Sequence, residues 1–276
     1  MDTIEIQNDL LDDVLIDVEK FDKVEAQSEI QKDEVLAIVL LYKNYNFKEF
    51  AKPYNAEICG KKMFEWVENA LSDFETKTTT CDDNSNIVSL IKPLLSDKKT
   101  TIVLYSDTPL VSSNTISDAL DYFNMRRLNV LKLSRGWIFN TEYIKNAETV
   151  SSVISREFGD DDFYPVYNAA SLEFASSKLK NRILDFHLQN GVVIEDRAST
   201  FIDADVIIHS GVRIAPRNTL RGETFIAKNV VLETGNVIMD SIICAGCQIR
   251  NSYIKQSRIS ENMVVGPFEI IEGKES

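Results

Sequence analysis

The chain is expected to fold as an α/β body joined by one long helix to a β-solenoid, and three observations carry that reading. Ile202, Ile208, Ile214, Leu220, Ile226, Leu232 and Ile238 recur every six residues without a miss. Upstream, the compact apolar runs VLAIVLL (35 to 41) and TIVLYSDTPL (within 100 to 110) read as buried strands of an open sheet. Between the two regions, residues 169 to 189 place Leu172, Ala175, Leu179, Ile183 and Phe186 at helical spacing and stop at Asn190-Gly191.

Composition bounds what such a chain does. Its 276 residues are 44% hydrophobic and 26% charged, as in ordinary globular proteins. A formal charge of -13 argues against a nucleic-acid partner, because phosphate backbones are bound by clustered Lys and Arg. No apolar run reaches the roughly 18 residues of a membrane helix, and MDTIEIQNDLLDD has neither the basic nor the apolar region of a signal peptide. The expected location is cytoplasmic, away from membranes. Four cysteines are too few to build a disulfide framework at this length.

From the N-terminus, residues 1–34 carry twelve Asp or Glu against three Lys. Leu11, Val14, Leu15, Val18 and Phe21 nevertheless trace an apolar stripe, so an acidic amphipathic helix is expected over residues 8 to 26. It docks on the chain's own body or on a partner protein. After the first strand, the loop 42 to 50 holds Tyr42, Tyr45, Phe47 and Phe50 and no glycine. Such rings cover an open sheet end, face a partner protein or line a remodelled small-ligand site. KMFEWVENAL (62 to 71) has helical spacing through Met63, Trp66, Val67 and Ala70, whereas ETKTTTCDDNSN (75 to 86) is expected to be a surface loop. TIVLYSDTPL brings Asp107 to the carboxyl end of its strand, where ligands sit in open parallel sheets.

A period of six matches neither a helical face nor simple alternation. It matches a solenoid whose six-residue edges each send one aliphatic side chain inward, three edges closing a triangular coil. Turn-forming or small residues fall at the corners: Ala204, Ser210, Gly211, Asn218, Gly222, Asn229 and Gly235. The series continues through Ile243, Ile249, Ile254, Ile259 and Val265, which extends the solenoid to about residue 271. Cys244 and Cys247 form a CxxC that is half of a zinc or redox pair at most, with no second pair nearby, and reads as small residues packed in or beside a coil. His187 and His209 have no visible triad around them. The expected divisions are 1–34, 35–168, 169–190, 191–271 and a tail of 272–276.

ICGKKMFEWVENAL, LYSDTPL, and above all RILDFHLQNGVVIEDRASTFIDADV followed by hexads and VVGPF, resemble the bacterial bifunctional UDP-N-acetylglucosamine pyrophosphorylase and glucosamine-1-phosphate acetyltransferase family. The resemblance covers about residues 35 to 271. It implies a reduced Rossmann-like nucleotidyltransferase domain, a linker helix and a left-handed parallel β-helix of hexapeptide repeats that forms a homo-trimer. It also implies a Mg2+ ligand at Asp107, with a partner Asn whose place is taken by Tyr167 or, one step on, Asn168.

Several of that family's working parts are altered here. Its glycine-rich LAAGxGTRM loop lets backbone approach phosphate, which needs residues without a Cβ. The matching stretch runs from Leu41 through Tyr42, Lys43, Asn44, Tyr45, Asn46 and Phe47 to Lys48, with no glycine, and the later PK becomes Pro53-Tyr54. The base- and sugar-recognition segments are replaced by polar residues and by LNVLKLSRGWIFNTEY. The acetyl-transfer residues lie beyond VGPF in the family, so acetyl transfer is not expected. Two functions stand. One is a non-catalytic scaffold or regulatory subunit linked to nucleotide-sugar or cell-wall precursor metabolism, with no cofactor. The other is an active sugar-1-phosphate nucleotidyltransferase, with Mg2+ at Asp107 and Lys43, Lys48 or Lys52 on the phosphates.

Overall fold

The computed structural model describes residues 32–43, 53–150, 153–159 and 161–273. The expected acidic helix, and Tyr45, Phe47, Phe50, Lys48 and Lys52 of the aromatic loop and its neighbourhood, lie outside the described residues. Chain order is β1 (Val35–Tyr42), a short hairpin of β2 (Glu57–Ile58) and β3 (Lys61–Lys62), α1 (Met63–Ala70), β4 (Glu75–Cys81), α2 (Ile87–Ile91), β5 (Thr100–Tyr105), α3 (Ser113–Met125), β6 (Val130–Leu133), β7 (Gly136–Asn140), α4 (Thr141–Asn146), β8 (Ile154–Ser155) and α5 (Ala169–Gln189).

Six of these strands form one mixed sheet in the order β4-β1-β5-β7-β6-β8. β1 runs parallel to both β4 and β5, while β7 is antiparallel to β5 and to β6. Residues 35 to 40 of β1 are all buried, which is why the strand reads as an unbroken apolar run. Leu36, Ile38 and Leu40 pack with Val103, Phe139, Val88 and Ile91 on one face.

β4 departs from the loop expected at residues 75 to 86. Glu75 to Cys81 form a full strand, paired from Leu36↔Glu75 to Tyr42↔Cys81. The β-branched residues Thr76, Thr78, Thr79 and Thr80 suit a half-exposed edge strand, and β1 supplies the ladder that a polar sequence does not announce.

Asn168 caps α5 by accepting the Ser171 N–H on Oδ1 (2.8 Å), and the helix stops at Asn190 with Gly191 at φ +80°. Its buried side is Ser171, Ala175, Leu179, Leu184 and His187. This corrects the expected stripe, since Phe186 is 37% exposed. The reason is that α5 serves two cores. Ala175 and Leu179 pack with Ile58, Met63, Leu110 and Val166, and Leu184 enters the solenoid core.

The solenoid strands, from Val193–Ile194 to Ile270–Glu272, stack into three parallel sheets and make a left-handed parallel β-helix. Ile202 pairs with Leu220 and Leu220 with Ile238, an interval of one 18-residue coil, and later coils shorten by one or two residues. Every residue of the inward series from Ile202 to Val265 is buried in a single core with Val206, Val212, Val230 and Cys247. One corner carries a buried polar ladder. Asn236 Nδ2 donates to Asn218 Oδ1 (2.9 Å) and to the Glu233 and Ile249 carbonyls, and Asn236 Oδ1 accepts the Ser252 N–H (3.1 Å). These asparagines satisfy carbonyls that the coil would otherwise bury alone.

The β2–β3 hairpin fixes the α/β body on the first coil. Ala204 N donates to Cys59 O (2.9 Å), and Lys61 pairs with Asp205 (2.6 Å). Gly60 turns at φ +84°, and a Cβ there would lie 2.8 Å from the Asp203 side chain, so only glycine fits. Among the described residues, no helix is long and apolar enough to cross a membrane.

Candidate functional site

The carboxyl ends of β1 and β5 meet at the YSDTPL turn. Ser106 N donates to Leu40 O (2.9 Å), and Ser106 Oγ accepts the Tyr42 N–H (3.0 Å). Asp107 O accepts the Val166 N–H (2.7 Å), and α5 reaches the turn through Arg182, whose Nη1 donates to Leu110 O (2.5 Å). Ser106, Asp107, Thr108 and Leu110 are buried as a result. The turn is rigid because neighbouring elements bind its backbone.

Asp107 is held by a residue that the sequence did not single out. Arg135 Nε donates to Asp107 Oδ1 (3.1 Å) and Arg135 Nη2 to Oδ2 (2.6 Å), a bidentate pair. The guanidinium lies 4.0 Å from the Tyr105 ring centroid and 4.8 Å from that of Tyr42, whose rings meet edge to face. Arg135 arrives through the tight β6–β7 hairpin, whose Gly136 pairs with Leu104 near the end of β5. A Cβ on Gly136 would meet Val103 O at 2.4 Å, so glycine is what lets the hairpin tip close over the turn.

Burial pushes the Asp107 carboxyl above the usual carboxylate range, and the bonds and charge of Arg135 pull it back. Burial also opposes the guanidinium, yet its pairing with Asp107 carries Arg135 above its ordinary value. Both carboxylate oxygens accept N–H groups, which is the geometry of an ionised pair. Nearby, burial and then Asp83, which accepts the Tyr42 hydroxyl, lift the Tyr42 phenol to about 12. Burial alone is the main lift on Tyr105, also to about 12, and on the Cys81 thiol, which Asp107 pushes further to about 12.

These residues do not fit a Mg2+ ion. The lone pairs such an ion needs on Asp107 are directed at a guanidinium, and a divalent cation there would lie against that fixed positive charge. Asn168, the other expected ligand, is exposed and spends its Oδ1 on the cap of α5, and Tyr167 is 47% exposed. Lys43, the described member of the three expected phosphate-binding lysines, follows β1 and donates its backbone N–H to Cys81 O (2.8 Å). Among the described residues, no three His, Cys, Asp or Glu side chains form a metal-binding group.

Sequence reasoning reached Asp107, Asn168, Lys43 and Tyr42 but missed Arg135, Tyr105, Trp137 and Lys132. The available signal was LKLSRGWIF itself, an alternating stretch broken at Ser134-Arg135-Gly136 and therefore a hairpin with an arginine at its tip.

No protein-family model matches the chain. It is 33% identical over 165 residues to the bifunctional protein GlmU of Clostridium novyi (strain NT), covering 57% of this chain and 36% of that protein. It is 40% identical over 108 residues to the bifunctional protein GlmU of Streptococcus mutans serotype c (strain ATCC 700610 / UA159), covering 39% and 24% respectively. The chain thus spans about a third or less of the length of these curated relatives. Among solved structures, CMP:2-keto-3-deoxy-manno-octonic acid synthetase complexed with CTP aligns over 54% of this chain and 99% of that one, with a TM-score of 0.42 and 11% identity.

Proposed function

The chain is a GlmU-like protein, and from that premise we propose that it is a non-catalytic binding or regulatory subunit linked to nucleotide-sugar or cell-wall precursor metabolism. The observation that carries this reading is the bidentate, buried Asp107–Arg135 pair. In the nucleotidyltransferase family that the sequence resembles, this aspartate serves a metal. Here a protein cation already neutralises it, so its oxygens are not free to hold the Mg2+ that the family's phosphoryl chemistry uses. The sequence after β1 adds support, because it has no glycine and close approach of backbone to a triphosphate needs residues without a Cβ. The β-helix serves in this reading as the assembly module of a cytoplasmic homo-trimer.

Isothermal titration of UTP and of UDP-N-acetylglucosamine, each with Mg2+, tests the proposal on the purified protein and on Asp107→Ala. No binding that depends on both Mg2+ and Asp107, and no pyrophosphate release, is expected. Micromolar binding that Asp107→Ala abolishes, accompanied by pyrophosphate release from UTP and sugar 1-phosphate, would replace this reading with that of an active nucleotidyltransferase.

A further inference from the structure

We propose that Lys132 and Arg135 form an oxyanion site for the phosphate group of a small metabolite, beside the Asp107 turn and independent of Mg2+. Lys132 lies on β6 opposite Trp137 of β7, and its ammonium is 3.6 Å from the centroid of that indole ring. It is half-buried, and among the described residues it has no carboxylate within ion-pair distance and no hydrogen bond to Nζ. That is unusual in a chain with 43 Asp and Glu against 30 Lys and Arg. Burial, with the charge of Arg135 beside it, brings the ammonium down to about 8.

Lys132 and Arg135 stand on adjoining rings, Trp137 and Tyr105, whose centroids are 5.7 Å apart, and the Asp107 carboxylate is engaged with Arg135 through both oxygens. Asp83 is turned to the Tyr42 hydroxyl, whose proton it accepts. Arg135 uses Nε and Nη2 on Asp107 and also faces the Tyr42 hydroxyl, and of its five N–H groups donors still remain for a further acceptor. Tyr42, Tyr105, Trp137 and Phe139 line the same face of the sheet and lower the local dielectric, which strengthens a charge-assisted bond to an oxyanion. A lysine point charge beside an arginine fork is the donor set that a tetrahedral phosphate takes. The place is the carboxyl end of the parallel strands, where open α/β sheets bind ligands.

The site goes beyond the proposed function, and its test contains neither nucleotide nor Mg2+, so the two can fail separately. Inorganic phosphate is titrated into the 15N-labelled chain at constant ionic strength with EDTA, and the two indole N–H resonances are followed. Trp66, which donates to Ile58 O (2.9 Å), serves as the internal reference. We expect a saturating shift at Trp137 and none at Trp66, an affinity about tenfold or more weaker in Lys132→Met, and recovery in Lys132→Arg. A shift that stays linear, moves both indoles alike or survives Lys132→Met unchanged overturns the site. Glucose 1-phosphate in a second arm separates the sources: tighter binding than inorganic phosphate supports an ester ligand, weaker binding supports the free ion.

Discussion

At the scale of single residues, the chemistry of the strand end is decided by one arginine. Asp107 has 4% of its side chain exposed and Arg135 28%, so removing the cation strands a buried carboxylate. Arg135→Ala is expected to destabilise the fold by about 3–5 kcal/mol, as in other broken buried pairs. Urea unfolding of both single variants and of the Arg135→Ala/Asp107→Ala double variant checks this. The double variant should lose clearly less than the sum of the singles, and additive losses would mean that the pair is not coupled. Asp107 was legible in the sequence because strand ends before Thr-Pro are short-range features. Arg135 was not, because its contact with Asp107 exists only once β7 has paired antiparallel to β5. Asn168 was legible as a candidate ligand, but its cap of α5 depends on where that helix begins.

At the scale of elements, α5 shows how a stripe is read correctly in kind and wrongly in detail. Helical spacing located the helix, but two different cores select its buried side, and they bring His187 inside in place of Phe186. Burial lowers the His187 imidazole from 6.5 to about 4, and its Nδ1 has no hydrogen-bond partner among the described residues. Because the folded value lies below the unfolded one, the native state binds fewer protons. The stabilising contribution is complete above about pH 6.5 and is lost as pH falls towards 4. The full loss is on the order of 3 kcal/mol. Urea midpoints at pH 7 and pH 4.5 should therefore differ more for the native chain than for His187→Leu, and equal slopes would refute the assignment. The solenoid edges were legible because a period of six repeats over many residues, whereas β4 has no pattern of its own and takes its form from β1.

At the scale of the whole molecule, the outward side of the β-helix bears apolar residues that a lone solenoid does not need. Phe201 is 51% exposed, Val193 48% and Ile207 38%, and Ile207 stacks in register with Phe225 and Ile242 on one sheet. Under the proposed trimer the face carrying Ile207, Phe225 and Ile242 is buried between subunits. Light scattering on the purified protein should give three times the 31.3 kDa of one chain, and Ile207→Asp should reduce it to a single chain. A monomeric native protein would remove the assembly role proposed for the β-helix.

What the sequence determined by itself was whatever repeats or stays local. The inward column from Ile202 to Val265, the stop at Asn190-Gly191 and the buried run of β1 follow from side-chain spacing, which every fold of this chain must respect. Tertiary structure alone decided the partner of Asp107, the strand nature of residues 75 to 81 and the inward turn of His187. Each of these depends on residues tens of positions apart being brought within a few ångströms, and the free energy that selects them belongs to the pairing and not to either segment.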